Sequence, residues 1–218
     1  MQILLLSDIH DHTEHLLKLK DAIAEADLVC LCGDLTSFQG PAAALRVVTA
    51  VKKPRDQMVA VSGNCDEKTV EESLIKEGIG IHGKIRSVGG ISLLGLGGSL
   101  ITPFCTPNEY REEALATCLT QAMEENAVSA PLVLVSHQPP INSCADRLAS
   151  GVHTGSRAVQ AFIERHRPIA CLTGHIHESH GIEKQNGTLI VNPGALVEGR
   201  YARVFITKKG AEAELGTL

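Results

Sequence analysis

The sequence predicts an α/β fold of two packed mixed sheets with helices on the outside. Five apolar runs have strand length and no polar alternation, the mark of strands buried on both faces. Amphipathic stretches separate several of them, which predicts helices packed on sheets. Two glycine-bearing dipeptides mark hairpins, so the sheets are mixed and not purely parallel.

The elements follow in chain order. Ile3 to Leu6 is the first run, and Leu16, Leu19 and Ile23 after it keep the three-or-four spacing of a helix face. Leu28 to Leu31 and Met58 to Val61 are the next strands, and Val70 with Leu74 marks a helix after them. Gly89-Gly90 joins Lys84–Val88 to Ile91–Leu96 through a tight primed turn. Leu115, Leu119 and Met123 predict a helix before the strand Leu132 to Val135. Val159, Phe162, Ile163 and His166 predict another before Ile169 to Leu172. Asn186-Gly187 then turns Ile182–Gln185 back into Thr188–Val191, and Val204 to Ile206 is a final strand. The glycine- and proline-bearing stretch from Gly95 to Pro107 reads as a surface loop, not a linker. No repeat divides the chain, so residues 1–218 are expected to form a single domain.

Composition narrows the function. With 44% hydrophobic and 21% charged residues among 218, the chain is neither disordered nor fibrous. No apolar run approaches the roughly 20 residues that span a bilayer, so no membrane partner is expected. A net charge of -5 argues against nucleic acid as a partner, and 3% aromatic residues with no Trp leave little material for base stacking. Seven Cys with no Cys-x-x-Cys pair read as buried thiols. Met1 leads straight into a strand pattern without a basic leader region, so the cytoplasm is the expected compartment. The apolar composition is compatible with a homo-oligomer.

Each of the five buried runs ends in a polar cluster: Asp8-Ile9-His10, Gly33-Asp34, Gly63-Asn64-Cys65-Asp66, His137, and Gly174-His175-Ile176-His177. Ligands in α/β sheets bind beyond the carboxyl ends of strands, so these clusters are expected to meet on one edge. Two Asp, four His and one Asn form a donor set suited to borderline divalent metals such as Mn, Fe or Zn. Seven donors exceed the shell of one ion. Two ions about 3.5–4 Å apart that share a carboxylate use them economically, a standard device of phosphoryl chemistry. Asp34, alone after its strand, is the candidate bridge.

In order and spacing these clusters resemble the calcineurin-like metallophosphoesterases, whose pattern runs D-x-H, G-D, G-N-H-D/E, a lone H, then G-H-x-H. The length and the Asn192-Pro193-Gly194 run resemble the family's small bacterial and archaeal phosphodiesterase branch. The resemblance implies a four-layer α/β/β/α sandwich and a binuclear metal-dependent phosphoesterase. It implies that Asp8, His10 and His177 hold one ion, Asn64, His137 and His175 the other, and Asp34 both, with Asp34, Asn64 and His137 as the catalytic set. A hydroxide bridging the ions would attack a small phosphodiester, with nucleotides among the candidates. Two divalent ions, two aspartates and one hydroxide leave a net positive charge that welcomes a phosphate oxygen. Manganese is the favoured metal, with Fe, Zn and Ni also fitting the donors.

The chain departs from the family pattern where Cys65 replaces the usual His after the Asn. A thiol is neutral at pH 7 and a weak donor, so a cationic contact to the phosphate is lost. Dianionic monoesters suffer most, which predicts a preference for diesters and places Cys65 at the substrate. His153 is a second candidate for substrate binding, and it or His12 can be the missing acid. The alternatives are a non-catalytic scaffold on the same fold, against which the filled ligand positions count, and a nuclease, against which the acidic balance counts. Gly95-Leu96-Gly97-Gly98 lacks the third glycine of a dinucleotide loop and reads as a tight loop beside the site. Thr102 to Tyr110 suits a pocket wall or a cap on the sheet equally.

Overall fold

Residues 1–52, 57–126, 128, 131–207 and 210–218 are described by the structure, a computed structural model. In chain order its elements are β1 (Gln2–Leu6), α1 (Thr13–Lys18), α2 (Lys20–Glu25), β2 (Leu28–Cys32), α3 (Pro41–Lys52), β3 (Met58–Val61) and α4 (Lys68–Lys76). There follow β4 (Ile85–Val88), β5 (Ile91–Leu96), β6 (Ser99–Leu100), β7 (Glu109–Tyr110), α5 (Glu112–Glu124), β8 (Leu132–Ser136), α6 (Arg157–His166) and β9 (Ala170–Leu172). The chain ends with β10 (Gly181–Gln185), β11 (Thr188–Asn192), β12 (Arg200–Thr207) and β13 (Gly210–Thr217).

The strands form two large mixed sheets, ordered β13-β12-β1-β2-β3 and β10-β11-β9-β8-β5-β4. In the first, β1, β2 and β3 are parallel, while β12 and β13 run antiparallel on one side. In the second, β5, β8, β9 and β11 are parallel and each edge is a hairpin arm. Both hairpin turns have positive φ at their central residues, Gly89 and Gly90 in one, Asn186 and Gly187 in the other, as primed turns require.

The period of two along each strand generates the layers. Ile3, Leu5, Cys30, Val59 and Val61 of the first sheet pack against Leu93, Val133, Val135, Leu172 and Val191 of the second. The alternate residues Leu4, Leu6, Val29 and Leu31 face outward onto Leu16, Ile23, Val47 and Val70 of the helices. On the far side Leu94, Leu134 and Ile190 meet Leu115, Leu119, Val159 and Ile163 of α5 and α6. The result is the expected α/β/β/α sandwich, with strands buried on both faces.

Four details differ from the expectation, one being the short parallel pair β6-β7, whose first strand lies within the stretch read as a surface loop. The first helix is two short ones, because the Leu19 N–H is shared between the carbonyls of His15 (3.2 Å) and Leu16 (3.1 Å) and tightens the chain there. Helix α3 was not expected, although Ala44, Val47, Val48 and Val51 keep the three-or-four spacing and form its buried face. Strand β13, also unexpected, alternates small and acidic residues on a sheet edge.

Candidate metal centre

Asp8 and His10 follow β1, Asp34 follows β2, and Asn64 and Cys65 follow β3; His137 follows β8, while His175 and His177 follow β9. The parallel strands place each trio or pair side by side, and the sandwich brings the two sets together. Backbone hydrogen bonds stitch the loops: Asp8 N–H donates to the Gly33 carbonyl (3.1 Å), and the N–H groups of Ile9 and His10 donate to the Asp34 carbonyl (2.8 and 3.0 Å). Asp8, His10, Asp34 and His175 all sit in the left-handed region, at φ 54, 48, 49 and 70. Such backbone costs about 1–2 kcal/mol per residue, and clusters of it belong to functional sites. Two glycines admit the crowding: a Cβ on Gly33 would strike the His137 ring, and one on Gly63 the Asp34 carboxylate.

The donor atoms fall into two groups linked by a third. Those of Asp8, His10 and His177 lie within 4.8 Å of one another, as do those of Asp34, His137 and His175. A third group of the same tightness joins His10, Asp34 and Cys65, so Asp34 reaches toward both halves. Its Oδ1 is 3.5 Å from His137 Nε2, and its Oδ2 is 3.8 Å from His10 Nε2. Asn64 Oδ1 stands 3.1 Å from His137 Nε2.

Two observations show that these residues fit cations. Asp8 Oδ1 is buried without an aligned hydrogen-bond donor, although His177 Nε2 is 3.3 Å away. His137 Nδ1 lies 2.8 Å from the Cys32 carbonyl, so a proton held there leaves the Nε2 lone pair facing the oxygens of Asn64 and Asp34. Three acceptors turned on one point are a cradle for a positive charge. Without an ion, a proton answers the same field. Burial opposes charge on His137, but the Asp34 carboxylate outweighs it and raises the imidazole to about 9. Burial also opposes charge on Asp34, yet the facing histidines hold its carboxyl below the usual range. Burial and the neighbouring His137 push His175 down to about 4, leaving it a neutral donor.

A cavity of about 800 Å³ opens over the cluster, lined by Asn64, His175 and His177 together with Leu100 to Phe104, Gln138 and Leu148. Glu178, Glu198 and Arg200 also line it, Arg200 Nε lying 3.5 Å from Glu198 Oε2. Thr102 to Phe104 are therefore pocket wall, while Asn108 caps the strand end by donating to Ser62 Oγ and the Gly63 carbonyl, both at 3.1 Å. Cys65, expected at the substrate, is buried and does not line this cavity; its sulfur sits with His10 and Asp34, and burial followed by the Asp34 charge pushes the thiol far up, so it stays protonated. His153 does not line this cavity; its Nδ1 is 2.7 Å from Asp146 Oδ1, beside a separate pocket formed with Arg147 and Glu183. His12 likewise points elsewhere, its Nδ1 2.6 Å from Glu14 Oε1.

Sequence reasoning missed the residues that hold these groups in place. Asn64 Nδ2 donates to Thr106 Oγ1 (3.1 Å), which donates to Glu109 Oε1 (2.6 Å), so the amide oxygen is turned to His137. Asp66 accepts N–H bonds from Leu35, Thr36 and Gly63 and a hydroxyl bond from Thr36, tying the loops after β2 and β3 together. Only the G-N-x-D pattern hinted at Asp66; Thr106 and Glu109 lie in the stretch read as pocket wall or cap, with nothing to mark their contact to Asn64, and Arg200 carries no local signal.

The calcineurin-like phosphoesterase superfamily domain matches residues 1–207, and the chain belongs to that metal-dependent family of hydrolases. It is 36% identical over 203 residues to an uncharacterized protein of Methanocaldococcus jannaschii, with 88% of each covered. A solved structure from Thermus thermophilus shares the fold with a TM-score of 0.75 at 19% identity, covering 99% of this chain and 98% of that one. An archaeal phosphodiesterase shares it with a TM-score of 0.52 at 16% identity, over 99% of each chain. Among the described residues, no helix is long and apolar enough to cross a membrane.

Proposed function

We propose that this protein is a binuclear metal-dependent phosphodiesterase acting on a small diester. The observation that carries the reading is the pair of three-donor groups with Asp34 reaching toward both. Asp8, His10 and His177 would hold one ion, Asn64, His137 and His175 the other, and Asp34 both. Bound there, two divalent cations, for which manganese is the first choice, would supply an acidified water as nucleophile and Lewis acidity for the phosphoryl oxygens.

The chain's own residues do the rest. The left-handed backbone at Asp8, His10, Asp34 and His175 aims their side chains before any ligand arrives. His137 is oriented by the Cys32 carbonyl, and Asn64 contributes a neutral donor that keeps the site cationic. At Cys65 a protonated thiol stands where an imidazolium would favour a second phosphate charge. Glu178 and Glu198 on the cavity rim also disfavour a dianionic monoester. The archaeal phosphodiesterase of the same fold supports the reading.

The test is metal-free protein, then protein restored with Mn, assayed on bis(p-nitrophenyl) phosphate and on p-nitrophenyl phosphate, with Asp34→Asn as the contamination control. Metal-dependent release favouring the diester is expected. Bound metal by elemental analysis with no cleavage of either ester would refute it and favour a binding role.

A further inference from the structure

The chain has four Phe and no Trp, yet two of those four rings are held in water: Phe104 is 82% exposed and Phe38 60%. Phe104 stands in the wall of the cavity that Asn64, His175 and His177 also line, with Pro103 and the 63% exposed Ile101 beside it. A cavity of about 800 Å³ is far larger than a phosphate group needs and falls within the range of sites for drug-sized ligands.

This wall is fixed in register with the candidate metal centre. Phe104 N–H donates to Thr102 Oγ1 (3.2 Å), and Thr102 Oγ1 donates to Glu109 Oε1 (2.5 Å). The same Glu109 oxygen receives the hydroxyl of Thr106, which in turn holds the Asn64 amide. One carboxylate thus positions both the ring and a candidate ligand. The rim disfavours a further negative charge on whatever lies against the ring: Arg200, the lone Lys or Arg among the described lining residues, is paired with Glu198, and Glu178 stands beside it.

We infer that Ile101, Pro103 and Phe104 form a subsite for a planar, apolar arm of the substrate that carries no negative charge, so that the substrates are phosphodiesters bearing an aryl or heteroaryl group. Stacking on an exposed ring rewards a flat partner beyond its buried area. The inference rests on the phosphodiesterase reading and deepens it.

The experiment compares Mn-loaded wild type, Phe104→Ala and Phe104→Tyr by calorimetry, with two phosphinates that cannot be hydrolysed, diphenylphosphinate and dimethylphosphinate. In parallel, kcat/KM is measured for phenyl p-nitrophenyl phosphate and methyl p-nitrophenyl phosphate, which share a leaving group. In the wild type the phenyl ligand should bind about tenfold more tightly than the methyl one, with a similar ratio in kcat/KM. Phe104→Ala should bring both ratios close to one, and Phe104→Tyr should keep them. A wild-type ratio near one, or a ratio that Phe104→Ala leaves intact, overturns the inference. So does a change of sedimentation in Phe104→Ala with the ratios unmoved, which would make the wall an interface between copies of the chain. Phosphinate discrimination without hydrolysis of either ester would sustain the subsite and refute the diesterase reading alone.

Discussion

His137 Nδ1 lies 2.8 Å from the carbonyl oxygen of Cys32, the last residue of β2. The contact crosses from one sheet to the other, so packing of the two sheets sets the direction of the imidazole. A hydrogen bond at Nδ1 selects the tautomer whose Nε2 is free to donate a lone pair. Sheet packing and site chemistry are therefore mechanically linked at this residue.

Replacing Asp34 should separate chemistry from folding. Asn matches Asp in size and tolerates the left-handed backbone at φ 49, so Asp34→Asn should keep the wild-type far-UV circular dichroism. Diester hydrolysis should fall by more than about 100-fold, and elemental analysis should find fewer than two ions per chain. Full activity in this variant would remove Asp34 from the site.

Thr106 tests whether the orientation of Asn64 matters. Thr106→Val preserves shape but removes the hydroxyl between Asn64 Nδ2 and Glu109 Oε1. Outer-shell losses of this type cost about 10–100-fold in metal affinity or activity, and manganese titration should show weaker binding of one ion. Thr106→Ser should restore it; equal weakening in both variants would mean that packing, not the hydrogen bond, is responsible.

Cys65 tests the preference for diesters. Cys65→His places an ionisable ring beside His10 and Asp34, in the third donor group. The monoesterase to diesterase ratio should rise about tenfold, the scale of one charge-assisted contact. An unchanged ratio in side-by-side assays would show that the thiol does not govern selectivity.

His82 predicts a pH dependence of stability. Burial pushes this imidazole below its ordinary 6.5, with Glu71 opposing, and its Nδ1 accepts a hydrogen bond from Gly97 N–H (2.8 Å). The unfolded chain therefore takes up a proton that the native state resists. His82 contributes full stability above about pH 6.5 and progressively less as pH falls through its folded pKa. Thermal melting from pH 7.5 to 5 should show a steeper decline for wild type than for His82→Gln, which keeps an acceptor for Gly97 but cannot titrate.

The parallel strands and both hairpins were legible because the sequence writes them locally: unbroken apolar runs for β1, β2, β3, β8 and β9, and paired turn residues at 89–90 and 186–187. Strand-end placement also made the polar cluster legible, since a period-two strand that stops at Gly-Asp or Gly-Asn must release those side chains at the sheet edge. Helix α3 and strand β13 escaped although both are periodic, Ala44, Val47, Val48 and Val51 on one helix face and Ala211 to Glu214 in alternation, because small residues give their inner faces little hydrophobic contrast. The supporting shell escaped for a different reason. Thr106 and Glu109 act on Asn64 across more than forty residues, and Arg200 reaches the cavity from the start of β12, so tertiary packing alone identifies them.

The four left-handed residues of the site have a further implication for how this protein can change. Backbone hydrogen bonds between the loops after β1 and β2 hold Asp8, His10 and Asp34 in place, and three apolar layers stabilise the fold that carries them. His10→Gly or His175→Gly would relax the loop and raise the melting temperature, and under the proposed ligand assignment would abolish hydrolysis. Selection for thermal robustness alone would thus pull the sequence away from its chemistry, and a stabilised natural or laboratory variant that lost these side chains would mark the drift from an enzyme to an inert scaffold.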